Sequence, residues 1–149
     1  MDMEKISSVS SLVTPELEEQ LRSVLGKLAG EVQMACVVDL EDRACVEMAE
    51  LARHVVGLSE KLSCQFYEPQ EAKDSLPGID VSLLPATALY KDGRYTGVAF
   101  HGVTGGREMN SLVIALYNVA GPGQEMDKRL LKKLGKLTQK AEMKIFVSL

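Results

Sequence analysis

The chain has 149 residues and a net charge of -4, with 46% hydrophobic and 26% charged residues and no Trp. That size holds one domain, or one domain and part of a second, and the balance excludes fibrous and disordered classes. No apolar run approaches the roughly 20 residues that cross a bilayer, Met1-Asp2-Met3-Glu4-Lys5 is no signal-peptide start, and three unevenly spaced cysteines make no disulfide framework, so the expectation is a cytoplasmic protein with reduced thiols and no membrane partner.

Residues 1–14 are expected to be a flexible N-terminal segment. Thr14-Pro15-Glu16 then marks a helix start: a hydroxyl cap, a proline suited to the first turn, and an acid at the positive end of the helix dipole. Leu17, Leu21, Val24, Leu25 and Leu28 make one apolar stripe in a helix expected to run to Gly30. Val32 to Val38 is short and apolar, as befits a strand covered on both faces. It ends at the charged Asp39-Leu40-Glu41-Asp42, and a second helix over about Arg43 to Gly57 carries Val46, Ala49, Ala52, Val55 and Val56 inward.

Leu62 to Tyr67 reads as the next strand, and Glu68 to Asp80, with Pro69, Pro77 and Gly78, as a loop containing at most one helical turn. Ala86–Tyr90 and Tyr95–Phe100 flank Lys91-Asp92-Gly93-Arg94, a hairpin signal because Asp-Gly supplies positive φ. Gly102 to Gly106 breaks the chain before a third helix built on Met109, Leu112, Val113, Leu116 and Tyr117, which Gly121-Pro122-Gly123 stops. A fourth helix on Met126, Leu130, Leu134 and Leu137 is basic: residues 124–149 hold seven Lys/Arg against three acids, +4, leaving -8 on the rest. Such asymmetry suits docking on a neighbour or, more simply, a solvated lysine-rich face. Lys144 to Leu149 reads as a last strand, as though another repeat were about to begin. The order of elements defines an α/β chain: a mixed sheet with a βαβ crossover, an antiparallel hairpin and a C-terminal helix.

Gly78-Ile79-Asp80-Val81-Ser82-Leu83-Leu84-Pro85-Ala86-Thr87-Ala88-Leu89-Tyr90-Lys91-Asp92-Gly93 resembles the second half of thioredoxins, and the likeness implies a thioredoxin-like three-layer sandwich with Pro85 as its cis proline. Pro85 through the hairpin, then Gly102 to Leu116 and the basic helix, resembles the N-terminal domain of the alkyl hydroperoxide reductase flavoprotein, which has two fused thioredoxin-like repeats. By that likeness residues 15–121 are the first repeat, which lacks CxxC, and 122–149 are the connecting helix and the first strand of a second. The family's working dithiol, FAD and NAD(P)H site would then belong to a longer parent, with no cofactor in this chain. Its implied partners are a second thioredoxin-like repeat, a flavoprotein reductase domain or a peroxiredoxin.

A thioredoxin-type dithiol needs an attacking Cys at the head of the helix after the first strand and a resolving Cys one turn on. That tetrad falls on Asp42-Arg43-Ala44-Cys45. Asp42 can cap the helix but cannot attack a disulfide, and Cys45, without a partner thiol, reads as a small buried residue, as do Cys36 and Cys64. These positions, with Pro85, are degenerate active-site positions and none is read as catalytic. His54 and His101 have no partner at metal-ligand spacing. Gly102-Val103-Thr104-Gly105-Gly106 lacks the spacing of a phosphate cradle, and the basic helix lacks the aromatics and overall charge of a nucleic-acid binder. The sequence therefore points to a redox-inactive module supporting a dithiol electron-transfer repeat, with no activity expected of this chain alone. The alternatives are a single-thiol redox or peroxide-sensing protein using Cys45, and a binding module that dimerises through its last strand.

Overall fold

The computed structural model describes residues 1–148. Its elements run α1 (Pro15–Leu25), β1 (Val32–Val37), α2 (Arg43–Val56), β2 (Leu62–Tyr67), α3 (Pro69–Ser75), β3 (Ala86–Lys91), β4 (Arg94–His101), α4 (Glu108–Ala120) and α5 (Lys128–Leu134), with a short 3-10 turn over Met3–Lys5. The four strands form one mixed sheet in the order β2-β1-β3-β4. β1 pairs parallel with β2 in the register Val32↔Leu62, which requires a crossover, and α2 supplies it. β3 runs antiparallel to β1, with Val37 opposite Ala86, and β4 antiparallel to β3.

Side chains alternate across each strand, so β1 feeds two cores. Val32, Met34 and Cys36 face one way and join Leu21 and Leu25 of α1, Cys45, Met48 and Leu51 of α2, and Leu112 and Leu116 of α4. Ala35 and Val37 face the other way, against Ala72 and Leu76 at α3, with Ala86 and Ala88. Burial on both faces explains why β1 is apolar at every position but Gln33, which is only partly buried and donates to the Gln65 side chain at 3.2 Å.

Local chemistry sets the boundaries. Thr14 caps α1 by accepting from the Leu17 N–H at 3.2 Å, with Pro15 in the first turn. The hairpin turn has φ of 51° at Asp92 and 72° at Gly93, the two positive values that an Asp-Gly pair provides. Further on, Leu89 alone stands opposite Thr96 to Val98, and Gly97, at φ 86°, absorbs the irregularity.

Four expectations are corrected. The first helix stops at Leu25, capped by Gly26, though Leu28 beyond it is still buried. Pro69 starts a seven-residue helix where a loop with at most one helical turn was expected, because Ala72 and the Leu76 after its end have the lower face of the sheet to cover. Residues 1–14 are not a loose leader: Ile6 and Val13 are core residues. The basic helix forms over Lys128–Leu134, yet residues 141–148 adopt no strand, since no described edge pairs with them; Leu149 of that expected strand lies outside the described residues. Leu130, Leu131 and Leu134 on α5 and Ile145, Phe146 and Val147 beyond it are all exposed.

Candidate functional site

The carboxyl end of β1 is where chemistry would be placed in this topology. The chain leaves it through Val38 to Glu41 and begins α2 at Asp42. Asp42 is the N-cap: its Oδ1 accepts from the Ala44 N–H at 2.7 Å and, more weakly, from the Cys45 N–H at 3.4 Å. These are two of the backbone donors that a helix start leaves without internal partners. Arg43 points to solvent and pairs with Glu47 at 3.2 Å, and Ala44 is half-buried. Cys45, three residues after the cap, is fully buried in the core between the sheet and α2. Its burial pushes the thiol above its ordinary range; the Asp42 and Asp39 carboxylates add to this and the Asp39 backbone opposes it.

Pro85 precedes β3 at the same end of the sheet, because its neighbour Ala86 is in register with Val37. The Leu84–Pro85 peptide is cis and Pro85 is buried. Its approach loop is fixed from two sides. The Ser82 N–H and hydroxyl both donate to Asp80 Oδ1, at 2.9 and 2.6 Å, holding that carboxyl below its usual range. At the end of β4, His101 Nδ1 donates to the Leu83 carbonyl at 2.8 Å. The structure thus brings Asp42, Arg43, Ala44, Cys45 and Pro85 to one end of the sheet, with an acid at the head of the helix and a buried thiol one turn in.

The other thiols are core. Cys36 is fully buried, and its thiol is pushed up to about 12 by burial, with the neighbouring Cys64 adding to the rise and the Thr87 hydroxyl opposing it. Cys64 is half-buried on β2 and lies on the same face, offset by two residues in the ladder. All three cysteines are free. The glycine-rich turn before α4 serves packing: a Cβ on Gly105 would meet Leu12 Cδ1 at 2.9 Å, so the missing side chain makes room for the N-terminal segment. Among the described residues, no helix is long and apolar enough to cross a membrane.

His54 is the polar residue that sequence patterning passes over. Its ring contacts Ser10 and Glu18, 44 and 36 positions away, and such pairings leave no periodic trace.

The capping role of Asp42 has a direct test. Asp42→Ala is expected to lower stability by about 1 kcal/mol in urea denaturation, while Asp42→Asn, which keeps an acceptor oxygen, stays within a few tenths. Equal loss in both variants would show that charge, and not capping, is what the helix head uses.

A mixed sheet of this order, with a helix launched from its first strand and a cis proline before its third, defines a thioredoxin-like fold. No protein-family model matches the chain. The F component of alkyl hydroperoxide reductase (AhpF) from Staphylococcus aureus (strain NCTC 8325 / PS 47) is 25% identical over 138 residues, 93% of this chain and 25% of that protein. The NTD_N/C domain of AhpF from Enterococcus faecalis superposes with a TM-score of 0.72 at 30% identity, covering 81% of this chain and 59% of that one. A protein disulfide oxidoreductase from Aeropyrum pernix, 18% identical, shares the fold with a TM-score of 0.71 over 87% of this chain and 56% of its own. The chain is therefore homologous to the N-terminal domain of AhpF, and it spans a quarter of the length of the curated relatives it matches.

Proposed function

We propose that this chain is a redox-silent thioredoxin-fold module that supports a dithiol-bearing repeat in an alkyl hydroperoxide reductase-like system. The observation that carries the reading is Asp42: the helix head that would lower the pKa of an attacking thiol is occupied by a capping carboxylate. Cys45 is left without a partner, and burial holds it as the unreactive thiol. In this reading the electrons pass through the neighbouring repeat, from a flavoprotein reductase domain to a peroxiredoxin, in the cytoplasm. FAD and NAD(P)H would be held elsewhere and never by these residues, and nucleic acid has no part.

The supporting role needs a surface, and the exposed leucines of α5 with Ile145, Phe146 and Val147 supply apolar area of the kind that monomeric domains rarely leave open. A second thioredoxin-like repeat is the occupant this reading assigns to it.

The test is reduction of insulin disulfides with dithiothreitol. The chain is expected to leave the rate at that of dithiothreitol alone, and Cys45→Ser to change nothing. A rate well above that background, abolished by Cys45→Ser, would overturn the reading and make Cys45 a working thiol.

A further inference from the structure

We infer that His54 is a pH-operated clasp for the N-terminal segment, closed while its Nδ1 is bare and opened when a proton occupies it. Residues 1–13 come before α1, yet they are fastened to the end of α2. The buried Ser10 donates its backbone N–H to His54 Nδ1 at 3.0 Å. Arg53 Nη1 donates to the Met3 carbonyl at 3.2 Å and also to the Ile6 carbonyl. Between these two fastenings Ile6 is inserted into the core, 2% exposed.

The partners of the ring fix its state. Glu18 Oε1 lies 3.1 Å from Nε2, and an ionised carboxylate only accepts, so Nε2 carries the hydrogen. Nδ1 must then offer its lone pair to Ser10, and the clasp requires neutral imidazole. In the cation Nδ1–H would face Ser10 N–H, two donors with nothing between them, at a site where His54 is 9% and Ser10 3% exposed. A buried donor that loses its acceptor and cannot reach water is strongly disfavoured. Protonation and closure therefore exclude one another at this bond.

The surrounding charges leave that conclusion intact. Glu18 of α1 accepts from Nε2–H in both forms, is over one-third exposed, and is shared with Arg22 at 3.5 Å. On the ring's own helix Arg53 is cationic and committed to the two carbonyls. The charged residues of the segment, Asp2, Glu4 and Lys5, are exposed, with Asp2 and Lys5 facing each other at 3.8 Å. A groove of about 480 Å³ bordered by Val9, Val13, Glu18, Arg22, Arg53 and His54 runs past the ring, and Ser10 is not part of its lining.

Amide hydrogen exchange on the whole chain tests this at about pH 7.5 and pH 5.5, which bracket the ordinary imidazole range and stay above that of Glu. After correction for intrinsic exchange, the Ser10 amide is expected to lose about ten-fold of its protection at the lower pH, while Met34 in β1 keeps its own. In His54→Asn, whose side-chain oxygen takes the place of Nδ1 and does not titrate, Ser10 protection should be equal at both pH values. Long-range proton–nitrogen correlation on the unaltered chain reads the tautomer without relying on the variant. An Nδ1–H tautomer at pH 7.5 overturns the proposal, as does Ser10 protection that is independent of pH, or that falls equally in His54→Asn.

Discussion

Asp42→Cys is expected to turn the chain into a dithiol that forms a disulfide with Cys45 and catalyses insulin reduction by dithiothreitol. The N-cap already presents the Ala44 and Cys45 N–H groups to a negative oxygen at 2.7 and 3.4 Å, and they would favour a thiolate in the same way. A drop from the free-thiol value of about 8.5 to about 7 raises the thiolate fraction at neutral pH by about ten-fold or more. That thiolate would attack one sulfur of an insulin disulfide, forming a mixed disulfide and releasing the other sulfur as a thiolate that takes a proton. Cys45 would lose its proton, attack the mixed disulfide and free the second insulin thiol; dithiothreitol then reduces the new bond and is itself oxidised. Burial still raises the Cys45 thiol in this variant, but once position 42 is tied up in the mixed disulfide it carries no charge, so the smaller contribution that the Asp42 carboxylate makes to that rise is gone at the resolving step. Asp42→Cys combined with Cys45→Ser should stop at the mixed disulfide. If mild oxidation leaves both thiols of Asp42→Cys titratable, the pair is out of reach and the assignment of this tetrad to the thioredoxin site is wrong.

The parts of the fold that sequence reading recovered are those governed by local rules. Thr14-Pro15, Asp42 and Asp92-Gly93 act through hydrogen bonds or φ values within a few residues, so their types and spacing suffice to place two helix starts and a hairpin. The alternation of β1 between two cores also follows from composition, because a strand covered on both sides has no polar face. What sequence reading missed depends on distant partners. Ile6 counts as core only once residues far along the chain close over it, and a Ser-rich stretch gives no sign that one of its amides will reach His54. The last strand fails for the opposite reason. Lys144 to Val147 has strand composition, but a strand exists only against an edge, and none of the described strands accepts it. At the candidate site, residue identities gave the position of the cap and the proline; the depth of Cys45, which raises its pKa, needed coordinates.

Met48→Ala is expected to be the most damaging single truncation on α2, at about 4 kcal/mol out of the roughly 5–15 that such a domain has. Met48 is fully buried among the residues of α1, α2, β1 and α4 that form the upper core. Its sulfur also accepts from Thr104, from the N–H at 3.5 Å and the hydroxyl at 3.4 Å, and Thr104 is itself 4% exposed. Alanine would leave a cavity and also two buried donors without a partner. Met48→Leu separates the two effects: it keeps the volume and removes only the weak sulfur acceptor, so a loss of about 1–2 kcal/mol is expected. The contact ties the turn before α4 to the helix whose head carries Asp42, which is why loss of this side chain should loosen the site and the core together. Urea denaturation of the three proteins decides the matter. A Met48→Ala loss below about 1 kcal/mol would mean that the pocket collapses or admits water, and a Met48→Leu loss equal to that of Met48→Ala would assign the whole effect to sulfur.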